Sequence, residues 1–135
     1  MKSKKDGGPQ VKPIIKKFYV SQILTANRGE DNRTQTIVLH LIEDIGFESN
    51  LQNLNVVYKG KSSDIITKIV SNYLGKELDT EAKDIQILKA IVPNLSPLDA
   101  CTWFSNRATT TDGYPFFFYS TLVDKNLQFN DLGTL

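Results

Sequence analysis

Cysteine, histidine, tryptophan and methionine each occur only once among the 135 residues of this chain. The lone Cys101 excludes an internal disulfide, and one thiol cannot hold a structural zinc ion. No apolar run approaches the roughly 18 residues that a membrane helix needs. The formal net charge is +1, so no overall electric field draws the chain to nucleic acid or to a lipid surface. The rest of the composition is typical of one globular domain with a single core.

Residue patterns for catalysis are also scarce. His40, the only imidazole, lies within a predicted strand, and Cys101 lies on the apolar face of a predicted helix. Glu43 and Asp44 are adjacent at a strand end, where neighbouring side chains point to opposite faces and do not form an acid–base pair. The sequence therefore predicts a protein that is not an enzyme, with no cofactor and no metal. A small hydrolase that uses His40 or Cys101 is the alternative.

A surface for nucleic acid is not indicated either. Such surfaces interleave exposed aromatic side chains with basic ones, whereas the aromatic run YPFFFY contains no basic residue. The first predicted hairpin offers only a modest basic patch, made of Lys16, Lys17, Arg28 and Arg33. We therefore expect protein partners, with neither nucleic acid nor membrane among them.

The amino terminus differs in composition from the remainder. Residues 1–12 contain four lysines and a Gly-Gly-Pro step, and they have no apolar residue between Met1 and Val11. Such a segment cannot offset the entropy lost on ordering, so it is predicted to be a disordered lead-in. Residues 13–135 are predicted to form one domain.

The first strong pattern after residue 12 predicts a β-hairpin. IIKKFYVSQILT and TQTIVLHLIED are strand-like, and the polar segment Ala26 to Arg33 joins them as a projecting loop. One side of the hairpin is expected to face the core. Alternation assigns the sides as Phe18, Val20 and Leu24 against Tyr19 and Ile23. The candidate interface consists of Tyr19, Ile23, Asn27, Arg28, Glu30 and Arg33.

Two amphipathic helices are predicted in the rest of the chain. The first follows Ser62 or Ser63 as its N-cap, carries isoleucines at helical spacing and ends at Gly75. The charged stretch KELDTEAKD after it is interpreted as a surface link. The second helix begins with Ser96 as N-cap and Pro97 at the first helical position.

The second helix carries a structural motif of aromatic and basic residues. Trp103, Phe104 and Arg107 lie in it, and the aromatic strand YPFFFYSTL and the strand LQFNDL follow. We expect the helix to lie on this C-terminal hairpin, with the aromatic rings packed between them as core. The predicted fold class is α+β: an antiparallel, β-barrel-like or strongly twisted sheet module with two amphipathic helices.

Four segments, in this order, resemble the baseplate central hub protein of contractile-tailed bacteriophages. They are TIVLHLIED, VVYKGKSSDIITKIVSNYL, IVPNLSPLDACTWFSNRA and TTDGYPFFFYSTLVDKNLQFNDLGTL, and with their connections they cover roughly residues 14 to 135. The third segment carries the motif of Ser96, Pro97, Trp103, Phe104 and Arg107. The hub part of type VI secretion spike proteins is a more distant likeness.

The resemblance implies a structural role. Hub proteins of this family cap the tail tube, carry the central spike and contain β-barrel modules, with three copies around the axis. The implied partners are other hub subunits, tail tube and spike proteins, and the implied location is the virion after assembly in the host cytoplasm. Whole hubs are longer, so the chain is expected to be part of a longer hub or a shortened relative. Another tail component or a type VI-like spike module is the alternative.

Overall fold

The computed structural model describes residues 13–81 and 83–135. Within them the helices are α1 (Asp44–Asn50), α2 (Ser62–Leu74) and α3 (Pro97–Ser105). The strands are β1 (Phe18–Arg28), β2 (Gln35–Glu43), β3 (Val57–Lys61), β4 (Leu78–Thr80), β5 (Ile87–Ile91), β6 (Phe116–Tyr119) and β7 (Leu127–Asp131). The α+β class is confirmed, with one helix more than predicted. The predicted lead-in of residues 1–12 lies outside the described residues.

The strands form three small sheets. β1 pairs with β2, and β3 pairs with β5, both antiparallel, while β4, β7 and β6 form a mixed sheet in that order. None of these sheets closes into a barrel in the part of the chain that the structure describes, so the predicted barrel-like closure is not found here. β4 lies inside the predicted surface link and runs parallel to β7, a long-range pairing that the local sequence does not reveal.

Helix α2 supplies the centre of the core. Its isoleucine and valine side chains recur on one face, and Ile65, Ile66, Ile69 and Val70 are all buried there. They belong to one apolar cluster with side chains of α3 and β7, which explains why a helix with several β-branched residues forms at this place. The helix ends at Gly75, whose φ of 58° is the left-handed conformation that favours glycine. The predicted end of this helix is therefore confirmed.

The start of α2 differs from the prediction. Lys61 occupies the N-cap position and Ser62 and Ser63 lie in the first turn, so neither serine is the cap. The Ser62 hydroxyl donates to the Phe104 carbonyl at 3.1 Å. The carboxylate of Asp84 accepts from the Ser63 backbone N–H at 3.0 Å and from its hydroxyl at 2.7 Å. A buried carboxylate from a distant segment thus binds a free amide at the helix N-terminus, where the dipole favours negative charge.

Helix α3 begins as its sequence predicts. Ser96 is the N-cap, its hydroxyl accepts from the Asp99 backbone N–H at 3.4 Å and donates to the Asp99 carboxylate at 2.7 Å, and Pro97 opens the helix. The backbone N–H of Leu98 donates to the Ser49 hydroxyl of α1 at 3.0 Å. Local capping and one tertiary hydrogen bond therefore fix where α3 starts.

The prediction of an aromatic core holds only in part: Phe104, Phe116 and Phe129 are buried, whereas Tyr114 and Phe117 are exposed, and the ring contacts form two groups. Phe104 is completely buried and meets the rings of Trp103 and Tyr58 edge to face, with centroid distances of 4.9 and 6.0 Å. Phe116 of β6 stacks on Phe129 of β7 at 4.9 Å. The Phe104 ring thus has its aromatic neighbours in α3 and β3, while the C-terminal strands stack their own pair.

Trp103 is only partly buried, and Arg107 covers its outer side. The Arg107 guanidinium carbon lies 3.6 Å from the centre of the Trp103 ring, and its Nη1 donates to the Trp103 carbonyl at 2.8 Å. This cation–π contact and the hydrogen bond to an end carbonyl close the last turn of α3. Arg107 thus contacts both the ring and the carbonyl of Trp103 at the helix end, and Trp103 is less buried than expected.

We expect Phe104→Ala to lower the free energy of unfolding by about 3–5 kcal/mol, because it leaves a cavity where a fully buried ring packed. Denaturant unfolding measures this loss. Phe117→Ala is the control, since that ring is 44% exposed, and it should cost about 1 kcal/mol or less. Equal losses for the two variants would contradict the assignment of Phe104 to the core.

Candidate protein–protein interface

The β1–β2 hairpin projects from the rest of the chain, and we call it the arm (residues 18–43). Every residue of β1 is exposed, and so is every residue of β2 except Ile42 and Glu43 at its base. The expectation that one side of the hairpin faces the core is therefore wrong. Contacts with the body are made at the base, where Tyr19 meets Phe47 of α1. The apolar side chains of the arm are left in water.

Two irregularities in β1 decide which side chains share a face. Val20 lies opposite Leu41 and Ile23 lies opposite Leu39, with register shifts between Val20 and Gln22 and again between Ile23 and Thr25. Directly opposed residues lie on the same face, and Leu39 and Leu41 are two apart on the regular strand β2. Ile23 is therefore on the side of Val20, and its predicted placement beside Tyr19 is wrong, because each extra residue reverses the alternation.

The result is one strongly apolar face, which we call the apolar face of the arm. Its members range from 39% exposed for Phe18 to 63% exposed for Ile23. They are Phe18, Val20, Ile23, Ile37, Leu39 and Leu41. Sequence reasoning included Ile23 in the candidate interface but on the wrong side, because local sequence carries no clear signal for the bulges that align the two strands.

The opposite face carries both polar and apolar side chains, and it contacts the body at its base. It carries the opposed pairs Tyr19–Ile42, Gln22–His40, Thr25–Val38 and Asn27–Thr36. The Tyr19 ring lies 5.0 Å from the Phe47 ring, and the Lys17 ammonium lies 5.2 Å from the centre of the Tyr19 ring. Tyr19 thus supports the arm on α1, rather than offering a free contact as predicted.

The tip of the arm is a compact turn. β1 continues through Asn27 and Arg28, so the loop is residues 29–34 and not the predicted Ala26 to Arg33. The Gly29 backbone N–H donates to the Thr34 carbonyl at 2.7 Å. The Asp31 carboxylate accepts from the Arg33 backbone N–H at 3.1 Å and from the Thr34 hydroxyl at 3.2 Å. Glu30 and Arg33 of the candidate interface lie in this loop.

The residues of the enzyme alternative are far from a catalytic arrangement. His40 lies on the open arm, where its Nδ1 meets the Ser21 hydroxyl, and none of its hydrogen-bond partners among the described residues is a carboxylate. Cys101 is fully buried, and burial raises the pKa of its thiol to about 12, so the thiolate is scarcely populated at neutral pH. Sequence reasoning missed Ser21, whose partner is set by the strand register.

A cleft of about 760 Å³ lies at the base of the arm. Residues 13–17, the start of α1 and the loop between β6 and β7 line it. Two ion pairs stand in it: Lys16 with Glu43 at 2.8 Å, and Lys76 with Asp44 at 3.3 Å. Exposed apolar side chains such as Ile14 and Val123 share the lining. Residues 13–81 and 83–135 contain no cluster of three or more His, Cys, Asp or Glu side chains that would hold a metal ion.

The chain matches no protein-family model, no curated protein and no solved structure. Within the described residues, none of the helices has the length and apolar character required to cross a membrane. A functional assignment therefore depends on the geometry of the arm and on the resemblance in the sequence.

Cys101 is expected to resist thiol reagents in the folded protein, because its sulfur is buried and its pKa is raised. Its modification rate should fall by at least about tenfold relative to the denatured chain, in line with the free energy of opening a core segment. Stopped-flow labelling with and without denaturant measures both rates. Equal rates would place Cys101 at an accessible site and revive the hydrolase interpretation.

The Asp31 carboxyl should titrate below its ordinary pKa of 3.8, because the backbone N–H of Arg33 and the hydroxyl of Thr34 bind its charged form. The ionised Asp31 carboxylate therefore stabilises the turn at pH values above the pKa of the unfolded chain. This stabilisation is lost as the pH falls through the lower pKa of the folded state. A carboxyl-carbon NMR titration of the whole chain gives the midpoint. A linear peptide of residues 29–34 gives the reference midpoint. Coinciding midpoints would show that the hydrogen bonds of the turn do not lower the pKa of Asp31.

Proposed function

We propose that the chain is a structural component of a phage tail baseplate hub that helps to join the tail tube to the central spike through protein–protein contacts. The observation that carries the proposal is the arm. Its apolar face lies in water, and large exposed apolar patches mark sites where another protein binds. An isolated two-stranded ribbon is marginally stable, so a partner that covers this face also stabilises the arm.

The free edges of the arm support a shared sheet. Among the described residues, β1 and β2 pair only with each other, so each strand keeps one row of unpaired backbone groups. Such edges accept strands from a neighbouring chain. The barrel-like module implied by the hub resemblance then forms between subunits, with the arm contributing two strands to its neighbour.

The remaining elements of the proposal follow from the same resemblance. Other hub subunits, three in the complete assembly, are the first partners, and tail tube and spike proteins are the next. The protein resides in the virion after assembly in the host cytoplasm, and it acts without catalytic turnover, nucleic acid or membrane. A near-neutral chain gains little from electrostatic steering, so assembly rests on apolar contact and backbone pairing.

The double variant Ile23→Lys/Leu39→Glu tests the arm. The two residues are directly opposed, so the new charges can pair across the strands while the apolar face is lost. We expect the variant to fold, to weaken self-association by at least about tenfold and to block assembly of baseplates that contain the complete hub. Light scattering over a concentration series and electron microscopy of tails measure the two effects.

A matched control is available one pair along the arm. Thr25→Lys/Val38→Glu places the same opposed charges on the other face, and it should leave assembly close to normal. Normal baseplates formed by a folded Ile23→Lys/Leu39→Glu hub would show that the apolar face is not a contact surface.

A further inference from the structure

A second exposed surface lies on the sheet of β3 and β5, away from the arm. The inner side chains of this sheet, among them Tyr58, Leu88 and Ala90, pack against the core. The alternate residues point outward and are exposed on both strands. Strand register places them as three opposed pairs: Val57 with Ile91, Lys59 with Lys89, and Lys61 with Ile87. We call this surface the lysine face.

The central pair brings two like charges together. Directly opposed side chains of an antiparallel pair have Cβ atoms about 4.5–5.5 Å apart, and like charges at that separation destabilise the sheet. Lys61 adds a third ammonium two residues from Lys59. The ion pairs among the described residues are Lys16–Glu43 and Lys76–Asp44, so none of these three lysines has a carboxylate partner.

Two acids lie three residues from the lysine face in sequence: Asp64 follows Lys61, and Asp84 precedes Ile87. Asp64 is in the first turn of α2, and neither acid forms an ion pair with the lysines among the described residues. Asp84 is only 3% exposed, and both of its carboxylate oxygens accept hydrogen bonds from Ser63. Its charge is directed to the start of α2 and away from solvent. Within residues 13–81 and 83–135, no ion pair therefore neutralises the positive charge of the lysine face.

Apolar side chains flank the charge at both ends. Ile87 and Ile91 are each 68% exposed, and Val57 is 55% exposed. The face thus has a lysine pair at its centre, an apolar pair at one end and a lysine–isoleucine pair at the other, on a sheet whose inner side packs against the core. A ligand that both neutralises the lysines and covers the apolar side chains of this face needs negative charges and apolar groups at the spacing of a β-strand.

We propose that the lysine face is a docking site for an acidic segment of another protein whose carboxylates alternate with apolar side chains. Charge complementarity selects the acidic partner. A second copy cannot present the same face to this one, because the lysines of the two copies would oppose each other. Nucleic acid fits less well, since phosphates leave the isoleucines uncovered and no aromatic side chain on this face stacks with a base.

Binding is tested on the whole chain with a short labelled peptide in which glutamate and leucine alternate, followed by fluorescence anisotropy at low and high salt. Lys59→Gln/Lys89→Gln should weaken binding by at least about tenfold, and high salt should weaken binding to the unaltered protein. Lys68→Gln/Lys125→Gln removes two exposed lysines elsewhere and should change affinity by less than about twofold.

Two further measurements separate the parts of the proposal. Ile87→Ser/Ile91→Ser should weaken binding of the alternating peptide but not of polyglutamate, because only the former covers the isoleucines. Lys59→Gln/Lys89→Gln should melt no lower than the unaltered protein, since it relieves repulsion. A lower melting temperature would show that the lysines support the fold instead.

Three results would overturn the docking site. They are failure of the unaltered chain to bind the alternating peptide, equal binding by the Lys59→Gln/Lys89→Gln variant, and tighter binding of a single-stranded DNA oligonucleotide than of the peptide. Light scattering tests whether a second copy of the chain occupies the face. A dimer that forms without peptide and is lost in the Lys59→Gln/Lys89→Gln variant would assign the face to self-association. None of these outcomes depends on the arm, so the hub proposal is tested separately.

Discussion

The contact between the start of α2 and the end of α3 determines where most other elements lie. The Phe104 ring fills the space between the two helices and β3, and its carbonyl accepts from the Ser62 hydroxyl. A buried carbonyl without a partner costs about 1–3 kcal/mol, so the helices meet in a defined register. The Ser105 hydroxyl donates to the Phe116 carbonyl at 3.2 Å and places β6. Because β3 leads directly into α2, this one contact positions both sheets of the body.

The arm is built on a different principle. It has no buried side chain of its own, and its β-ladder is anchored through the Tyr19–Phe47 contact and the Lys16–Glu43 ion pair at its base. The body therefore has a core of its own, whereas the arm has little burial to stabilise it. The apolar face of the arm and the lysine face lie on separate sheets and differ in chemistry, so the two proposed contacts would not compete for the same residues.

Local signals in the sequence predicted the parts of the fold that depend on neighbours in the chain. The isoleucine spacing of α2 and the cap at Ser96 were read correctly because a helix face and a helix cap each involve residues a few positions apart. The pairing of β4 with β7 and the binding of Asp84 at α2 join distant segments, and no local pattern reports them. For the candidate interface, alternation located the strands of the arm, but the register shift between Val20 and Gln22 that brings Ile23 beside Val20 arises only from pairing with β2.

The length of the arm has a mechanical consequence. An 11-residue strand spans roughly 36 Å, about as far as a compact body of this size is wide. If the tip of the arm binds a neighbouring subunit, as proposed, the two bodies can be joined while they stand apart. Two-stranded ribbons twist and bend more readily than broad sheets, so such a joint is compliant and lets the bodies tilt or slide without releasing the contact. The connection between copies would then be flexible, unlike a broad interface that fixes the relative orientation of two bodies.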